Sequence, residues 1–286
     1  MANIRLIRRR IRAIQNTAKI TRAMEMIATS KMRRAQEAGL AGRPYADKIR
    51  QVLADLAALP ETARTLHPLL QQRPINRIAM VHITPDRGLC GGLHANINRT
   101  SASFILEQPV PVTVIAVGRK GLDFMHRYGR DIRAEFTRLG DRPSLLDTLP
   151  ISRIIIDDYS NGIIDLVYLV YAQFISTTIQ RPILQQILPI EPATLPAGQN
   201  VEYIYEPGPA LVLGELLPRF VEMQVYHAIL ESIASEQSAR VVAMRNATDN
   251  ANEIIQDLTL MYNKARQETI TRELLDITGG AEALAR

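Results

Sequence analysis

Residues Arg219–Thr278 read RFVEMQVYHAILESIASEQSARVVAMRNATDNANEIIQDLTLMYNKARQETITRELLDIT, sixty residues with neither glycine nor proline. Those two residues are the strongest helix punctuators, so their absence permits one unbroken helix. At ~1.5 Å rise per residue it would be roughly 90 Å long, against an average helix of ~11–12 residues. A helix of that length cannot bury itself in a compact domain of its own. It must lie along another long helix or inside another body. Leu216, Phe220, Met223, His227, Leu230, Ala234, Gln237, Val241, Met244, Thr248, Ala251, Ile255, Leu258, Tyr262 and Ala265 follow one another at spacings of three and four. That period of 3.5 marks the seam of a coiled coil. His227, Gln237 and Thr248 are polar interruptions, which lower stability but fix register, and the alanines allow close approach.

The other end of the chain supplies a partner. Ala2–Ala38 again lacks glycine and proline, and Ile4, Ile7, Ile11, Ile14 and Ala18 keep the same spacing. The apolar stripe then drifts through Ile20, Met24, Ile27, Met32 and Ala35. Pro44 is a helix breaker, after which Ile49, Val52, Leu53 and Leu56 resume the pattern. One helix running into a middle domain and one running out of it pair antiparallel, and the longer second helix should project beyond the first.

A chain of 286 residues with 47% hydrophobic content can build a sizeable core. It has one cysteine, Cys90, which excludes an internal disulfide and a cysteine-rich metal site. The N-terminus is charged and amphipathic, so no signal peptide is expected, and no apolar run is long enough to span a membrane. The net charge of +5 hides an asymmetry: residues 1–50 hold thirteen Lys and Arg against three acids, while the remainder is net acidic. Arg5, Arg8, Arg9, Arg10 and Arg12 concentrate that charge on the first helix. With so few acids available for intrahelical pairing, the cluster suits an acidic partner, whether nucleic acid, membrane or protein loop.

Between the helices the period changes. Residues 77–83, 112–117, 132–136, 164–173 and 183–189 read as strands. Helices fit from the glycine loop to about Leu106, from Gly118 to Tyr128, and over 144–159. Apolar strands alternating with helices imply a mainly parallel five-stranded, Rossmann-like α/β sheet. The expected division is therefore a helix over 1–57, a connector over 58–75, an α/β domain over 76–190, a connector over 191–209 and a second helix over 210–286.

Chemistry-bearing motifs are thin. Gly88, Gly91 and Gly92 follow a strand and precede a helix, but fit neither the dinucleotide fingerprint nor the P-loop; Gly118-Arg119-Lys120-Gly121 is similarly partial. A tight strand-to-helix turn is the better reading. The five histidines share no ligand spacing, and Asp157-Asp158 reads as an acidic helix end rather than a metal site. Nothing points to an enzyme.

Several motifs together carry a resemblance. Ile14–Ala28 (IQNTAKITRAMEMIA) with Ser30-Lys31-Met32, Ser235–Arg240 (SEQSAR), Met244–Asn250 (MRNATDN), Tyr262–Gln267 (YNKARQ), Ile270–Asp276 (ITRELLD) and Asp86–Gly92 (DRGLCGG) resemble the gamma subunit family of F-type ATP synthase over essentially the whole chain. The resemblance implies a non-catalytic rotor shaft without a cofactor. It would turn inside three alpha and three beta subunits, with its middle domain on the epsilon subunit and the c-ring, at the cytoplasmic face of the cell membrane as a peripheral subunit. It implies that Arg240, Gln267, Thr271 and Glu273 bond the beta loops that catch the shaft. Lys19, Arg22, Met24, Ser30, Lys31, Arg33 and Arg34 would face the acidic lever of beta, and Tyr203, Tyr205 and Glu206 the epsilon subunit and ring. Chloroplast-type members carry an inserted cysteine pair; a chain with Cys90 alone has no such switch. Two other classes compete. A basic-helix coiled-coil nucleic-acid-binding protein would need a parallel zipper between two chains and leaves the α/β domain unexplained. A nucleotide-binding enzyme would use the Gly88–Gly92 loop.

Overall fold

A computed structural model describes residues 4–57, 67–190 and 208–284. The chain forms two compact units, one of Met1–Ile27 with Val241–Arg286, the other of Ala28–Arg240. Two helices run through both: α1 (Ile4–Ala57) and α5 (Pro209–Leu284). Only Gly208, Pro209 and residues from His67 on are described in the two expected connectors.

The larger unit holds a five-stranded sheet of β1 (Ile78–Ile83), β2 (Val112–Val117), β3 (Ile132–Phe136), β4 (Leu166–Phe174) and β5 (Gln180–Leu188), in the order β3-β2-β1-β4-β5. All neighbours are parallel except β5, which returns antiparallel along β4. The helices α2 (Leu93–Glu107), α3 (Arg119–Arg127) and α4 (Leu145–Ser160) make the crossovers. β1 and β2 are buried at all six positions, as strands covered on both faces must be. Ile78 and Met80 pack with Ile97 and Phe104 of α2 and Met125 of α3. The alternate residues Ala79, Val81 and Ile83 pack with Ile151, Ile155 and Tyr159 of α4, and with Leu217, Val221, Val225 and Ile229 of α5. So α5 is itself part of the second helical layer. Ser144 starts α4 with a capping box to Asp147, which satisfies helix donors that would otherwise be orphaned.

The smaller unit is a helix pair. Val241, Met244, Thr248, Ala251 and Leu258 are buried and Ile255, Tyr262 and Ala265 half-buried. Arg245, Asn246, Asp249, Asn250, Asn252–Ile254, Gln256, Asp257, Thr259–Met261, Asn263 and Lys264 are exposed. The expected seam is therefore present position by position from Val241 to Ala265. In its expected first half, Leu216, Phe220, Met223 and His227 are only half-buried, while Leu217, Val221 and Val225 between them are fully buried in the larger unit. Its partner stripe on α1 is Ile4, Ile7, Ile11, Ile14, Ala18, Thr21 and Glu25. Thr21 and Thr248 place hydroxyls 2.7 Å apart, and Arg245 Nε donates to Glu25 Oε1 at 3.0 Å. The index rises on one helix as it falls on the other, so the pair is antiparallel. From Arg266 to Ala281 every residue of α5 is exposed, as expected of a second helix that outlasts the first.

Two expectations need correction. The stripe on α1 does not drift: Ile20 and Ile27 are 60% and 56% exposed. The heptad runs on through Thr21, Glu25, Ala28, Met32, Ala35, Gly39 and Gly42 to Ile49. Pro44 lies inside α1 without ending it, although it removes one donor from the helical ladder. α5 also takes in Gly214, Pro218, Gly279 and Gly280, beyond the stretch that lacks glycine and proline.

Candidate interaction surface

Parallel α/β sheets usually hold small ligands in the crevice beyond their strand C-termini. Beyond Ile83, Val117 and Phe136 that space is lined by Ile229, Ser232, Ile233 and Glu236 of α5. The remaining space is about 40 Å³, room for a water or two and no nucleotide. At the start of α3 the anion position is taken: Asp86 accepts from Arg119 N (3.0 Å) and from Arg138 N (2.9 Å), so a carboxylate sits where that helix end could hold an anion.

Packing explains the glycines of the second loop, while in the first Gly91 is required by its positive φ of +58°. A Cβ on Gly118, whose φ is +91°, would collide with the Thr84 carbonyl, and one on Gly121 with His82 and Thr84. Gly121 N donates to Thr84 Oγ1 (2.8 Å). His82 is fully buried between Asn98 Oδ1 (2.9 Å) and Ser101 Oγ (2.8 Å). Burial holds its pKa down at about 4, against the opposing pull of the Asn98 bond. Cys90 is buried, and burial pushes its thiol up, so it is an inert packing group. Asp158 is held by both Nε and Nη2 of Arg133 at 3.0 and 3.1 Å. Among the described residues no group of His, Cys, Asp and Glu is arranged to hold a metal ion.

The expected contact residues fall into distinct settings. Gln267, Thr271 and Glu273 lie on the exposed end of α5. At about 100° per residue, Gln267 and Thr271 share a face while Glu273 points away from it. Lys19 and Arg22 are exposed on α1 and Met24 is half-buried; Arg22 Nη1 reaches Glu25 Oε2 at 3.3 Å. In the larger unit Lys31 Nζ bonds Asp141 Oδ2 at 2.7 Å, Arg34 Nη2 bonds Ser30 Oγ at 2.8 Å, and Arg33 pairs with Glu37 at 3.3 Å. Lys31, Arg34 and Arg142 rim a shallow, solvent-open basic recess with Asp141 at its edge. Tyr203, Tyr205 and Glu206 lie outside the described residues.

Arg240 differs most from its expectation. A residue reaching only toward a partner should be exposed, yet Arg240 is buried. Its Nη2 donates to Glu236 Oε1 (2.7 Å), one turn back, and to the carbonyl of Gly88 (3.1 Å). Burial pushes the Glu236 carboxyl up, against the pull of the Arg240 guanidinium. The DRGLCGG loop is thus fastened to α5 by this arginine, and removing it would strand a buried carboxylate as well as any external contact. Sequence reasoning also missed Glu25 and Thr21 as seam residues. The available signal was their place at heptad positions, which polarity disguised.

Comparison with known proteins agrees with this anatomy. Residues 3–284 match the family model described as ATP synthase. The chain belongs to the ATP synthase family. It is 67% identical over 285 residues to the ATP synthase gamma chain of Dehalococcoides mccartyi, with all of both chains covered. Its identity to the ATP synthase gamma chain of Herpetosiphon aurantiacus is 51%, over 99% of each chain. In fold it matches a chain from the mitochondrial ATP synthase of Euglena gracilis, resolved with OSCP, F1 and c-ring. The TM-score there is 0.65 at 22% identity, over 98% of this chain and 94% of that one. The family membership agrees with a surface built for protein partners and a crevice too small for a nucleotide. The zipper alternative fails on the same geometry, since the seam of α1 is spent on α5 of its own chain. Among the described residues no helix is long and apolar enough to cross a membrane.

Proposed function

We propose that this chain is the central rotor shaft of an F-type ATP synthase. It couples ion flow through a c-ring to conformational change at catalytic sites carried by beta subunits, and runs in reverse during hydrolysis. The observation that carries this reading is the changing burial of α5. The helix is enclosed within the sheet unit, striped through Ala265, and bare from Arg266 to Ala281. A single helix that is anchored, then paired, then unpaired is suited to reach into a separate body and move within it. Its action on catalytic sites carried by beta is steric and electrostatic.

In this reading residues 1–57 and 210–286 form the shaft, 76–190 the domain that meets epsilon and the c-ring, and 58–75 and 191–209 the connectors. Gln267, Thr271 and Glu273 bond beta loops near the top, and Arg240 does so lower down by exchanging or sharing its bonds to Glu236 and Gly88. Lys19, Arg22, Met24, Ser30, Lys31, Arg33 and Arg34 meet the acidic lever of beta. The exposed Arg8, Arg9, Arg10 and Arg12 extend the basic face, and charge of this kind gives attraction that can pass from one neighbour to the next. Tyr203, Tyr205 and Glu206 are assigned to epsilon and the ring, at the cytoplasmic face of the membrane, where the chain is peripheral.

The test is direct observation of rotation. Leu106 is 73% exposed on the sheet domain and Cys90 is buried, so Leu106→Cys gives a selective attachment point for a bead. In a complex assembled with the alpha and beta subunits of the same host and fixed through beta, ATP should turn the bead in one direction in discrete steps. ATP hydrolysis with a stationary bead would overturn the proposal.

A further inference from the structure

Arg240 is a buried cation with donors left over. Its side chain is 11% exposed, and that of Glu236 is 16% exposed. A guanidinium carries five N–H donors. Nη2 commits both of its own, one to Glu236 Oε1 (2.7 Å) and one to Gly88 O (3.1 Å). Among the described residues nothing accepts from Nε or Nη1. Neither nitrogen is sealed from solvent, so the free edge of the guanidinium faces outward. An arginine serving only solubility buries its stem and leaves its head in water. Here the head itself is held down.

Both of its holders are fixed. Glu236 lies one turn before Arg240 on α5, the spacing at which side chains of one helix face meet. Gly88 belongs to a loop fastened by Asp86, which accepts from Arg119 N and Arg138 N, and by Cys90, whose Sγ lies 3.9 Å from the carbonyl of Arg87.

Glu236 itself sits in an unfavourable place for a carboxylate. Burial pushes its pKa up and the charges of Asp141 and Asp86 push the same way, while Arg240 pulls it down. Replacing a buried ion pair by apolar residues is often neutral or stabilising, so the fold alone does not call for this one. What the pair supplies is geometry: a planar fork set in one orientation with its open edge outward.

We propose that Glu236 is a positioning residue for Arg240, holding the guanidinium so that Nε and Nη1 donate to an oxygen acceptor on a partner. Resting on the shaft reading, that acceptor lies on a loop of beta. The bonds to Glu236 and Gly88 are kept when the partner arrives, since a side chain fixed beforehand loses less freedom on docking.

The test uses variants in the complex assembled with the alpha and beta subunits of the same host, read as maximal ATP turnover and as KM for ATP. Arg240→Ala should lower turnover about tenfold with KM little changed. Glu236→Ala should lower it about fivefold, and the double variant should be no slower than Arg240→Ala. Glu236→Asp is too short to reach Nη2 and should match Glu236→Ala. Glu236→Gln keeps an acceptor at the right length and should recover about half of the parent rate. A double variant slower than Arg240→Ala by a further factor of about five would mean that Glu236 acts through the fold, and would overturn the proposal. So would Glu236→Ala at the parent rate. If Glu236→Ala fails to assemble, the order of the other two decides: turnover in Glu236→Asp equal to or above that in Glu236→Gln overturns it. The parent rate in Arg240→Ala would remove the contact with beta and the proposal together. Rotation of the bead at Leu106→Cys would in that case leave the shaft function intact.

Discussion

Two stretches of one helix live by different rules. From Leu213 to Arg240, α5 is buried or half-buried at most positions around its circumference, because the sheet lies on one side and α1 on another. From Val241 to Ala265 it is buried on a stripe at every third or fourth residue, and from Arg266 on it is exposed throughout. Glycine and proline are absent from Arg219 to Thr278, so no helix breaker separates these stretches. What changes is how many elements cover the helix. A helix apolar all round is a core helix, and a helix apolar on one seam is half of a coiled coil. The chain makes both from one continuous element. The enclosed stretch and the bare end are therefore parts of one continuous helix.

The largest expected effect lies in the enclosed stretch. Val225 is fully buried among the core residues that α5 shares with the sheet. Val225→Asp places an unpaired carboxylate there and should cost about 4 kcal/mol or more, enough to unfold a marginally stable domain. Urea unfolding of the isolated chain measures it. A loss under about 1 kcal/mol would mean that α5 is not part of the sheet core, and the contrast drawn here would collapse.

The next effect concerns a polar group on the other face of the sheet, against α2. His82 titrates at about 4 in the folded chain, below the ordinary value near 6.5 for an exposed imidazole. As pH falls, the unfolded chain takes up this proton first, so the contribution is complete above pH 6.5 and declines as the pH approaches 4. The two values bound the loss at about 3 kcal/mol. Urea midpoints measured from pH 7 to pH 4 should fall more steeply for the parent chain than for His82→Gln. Parallel profiles would remove His82 from the acid sensitivity.

Much of this contrast was written in the residues. The period of 3.5 marked the seam from Val241 to Ala265 because solvent covers every other side of that stretch, leaving apolarity a pure signal of pairing. The same rule misled on α1, where Ile20 and Ile27 are apolar but exposed while Thr21 and Glu25 sit in the seam. A hydroxyl pair and a buried ion pair can fill a heptad position as well as isoleucine can, and composition alone does not say so. The strands were legible because β1, β2 and β4 are covered on both faces. The glycines at 118 and 121 were not, because the need for them comes from Thr84 and His82, distant in sequence. Arg240 was singled out by motif, but its bond to Gly88 O joins residues 152 positions apart, which no local pattern announces. The exposed contact residues at the end of α5 gave no physical signal beyond the resemblance, since an unpaired helix face looks like any solvated one.

The smallest effect on the chain itself belongs to that end. Gln267→Ala, Thr271→Ala and Glu273→Ala should each change the stability of the isolated chain by no more than about 0.5 kcal/mol, as exposed substitutions do. Their consequence should appear in the ATPase rate of the assembled complex. Gln267 and Thr271 lie four residues apart on one face, so at any instant they meet the same neighbour, and their double variant should be non-additive. Glu273 points elsewhere and meets a different neighbour, so Gln267→Ala with Glu273→Ala should add within about 0.5 kcal/mol of activation free energy. Strong coupling between Gln267 and Glu273 would mean that the end of the helix bends or unwinds when engaged. The end of α5 would then not act as one regular helix when it meets a neighbour.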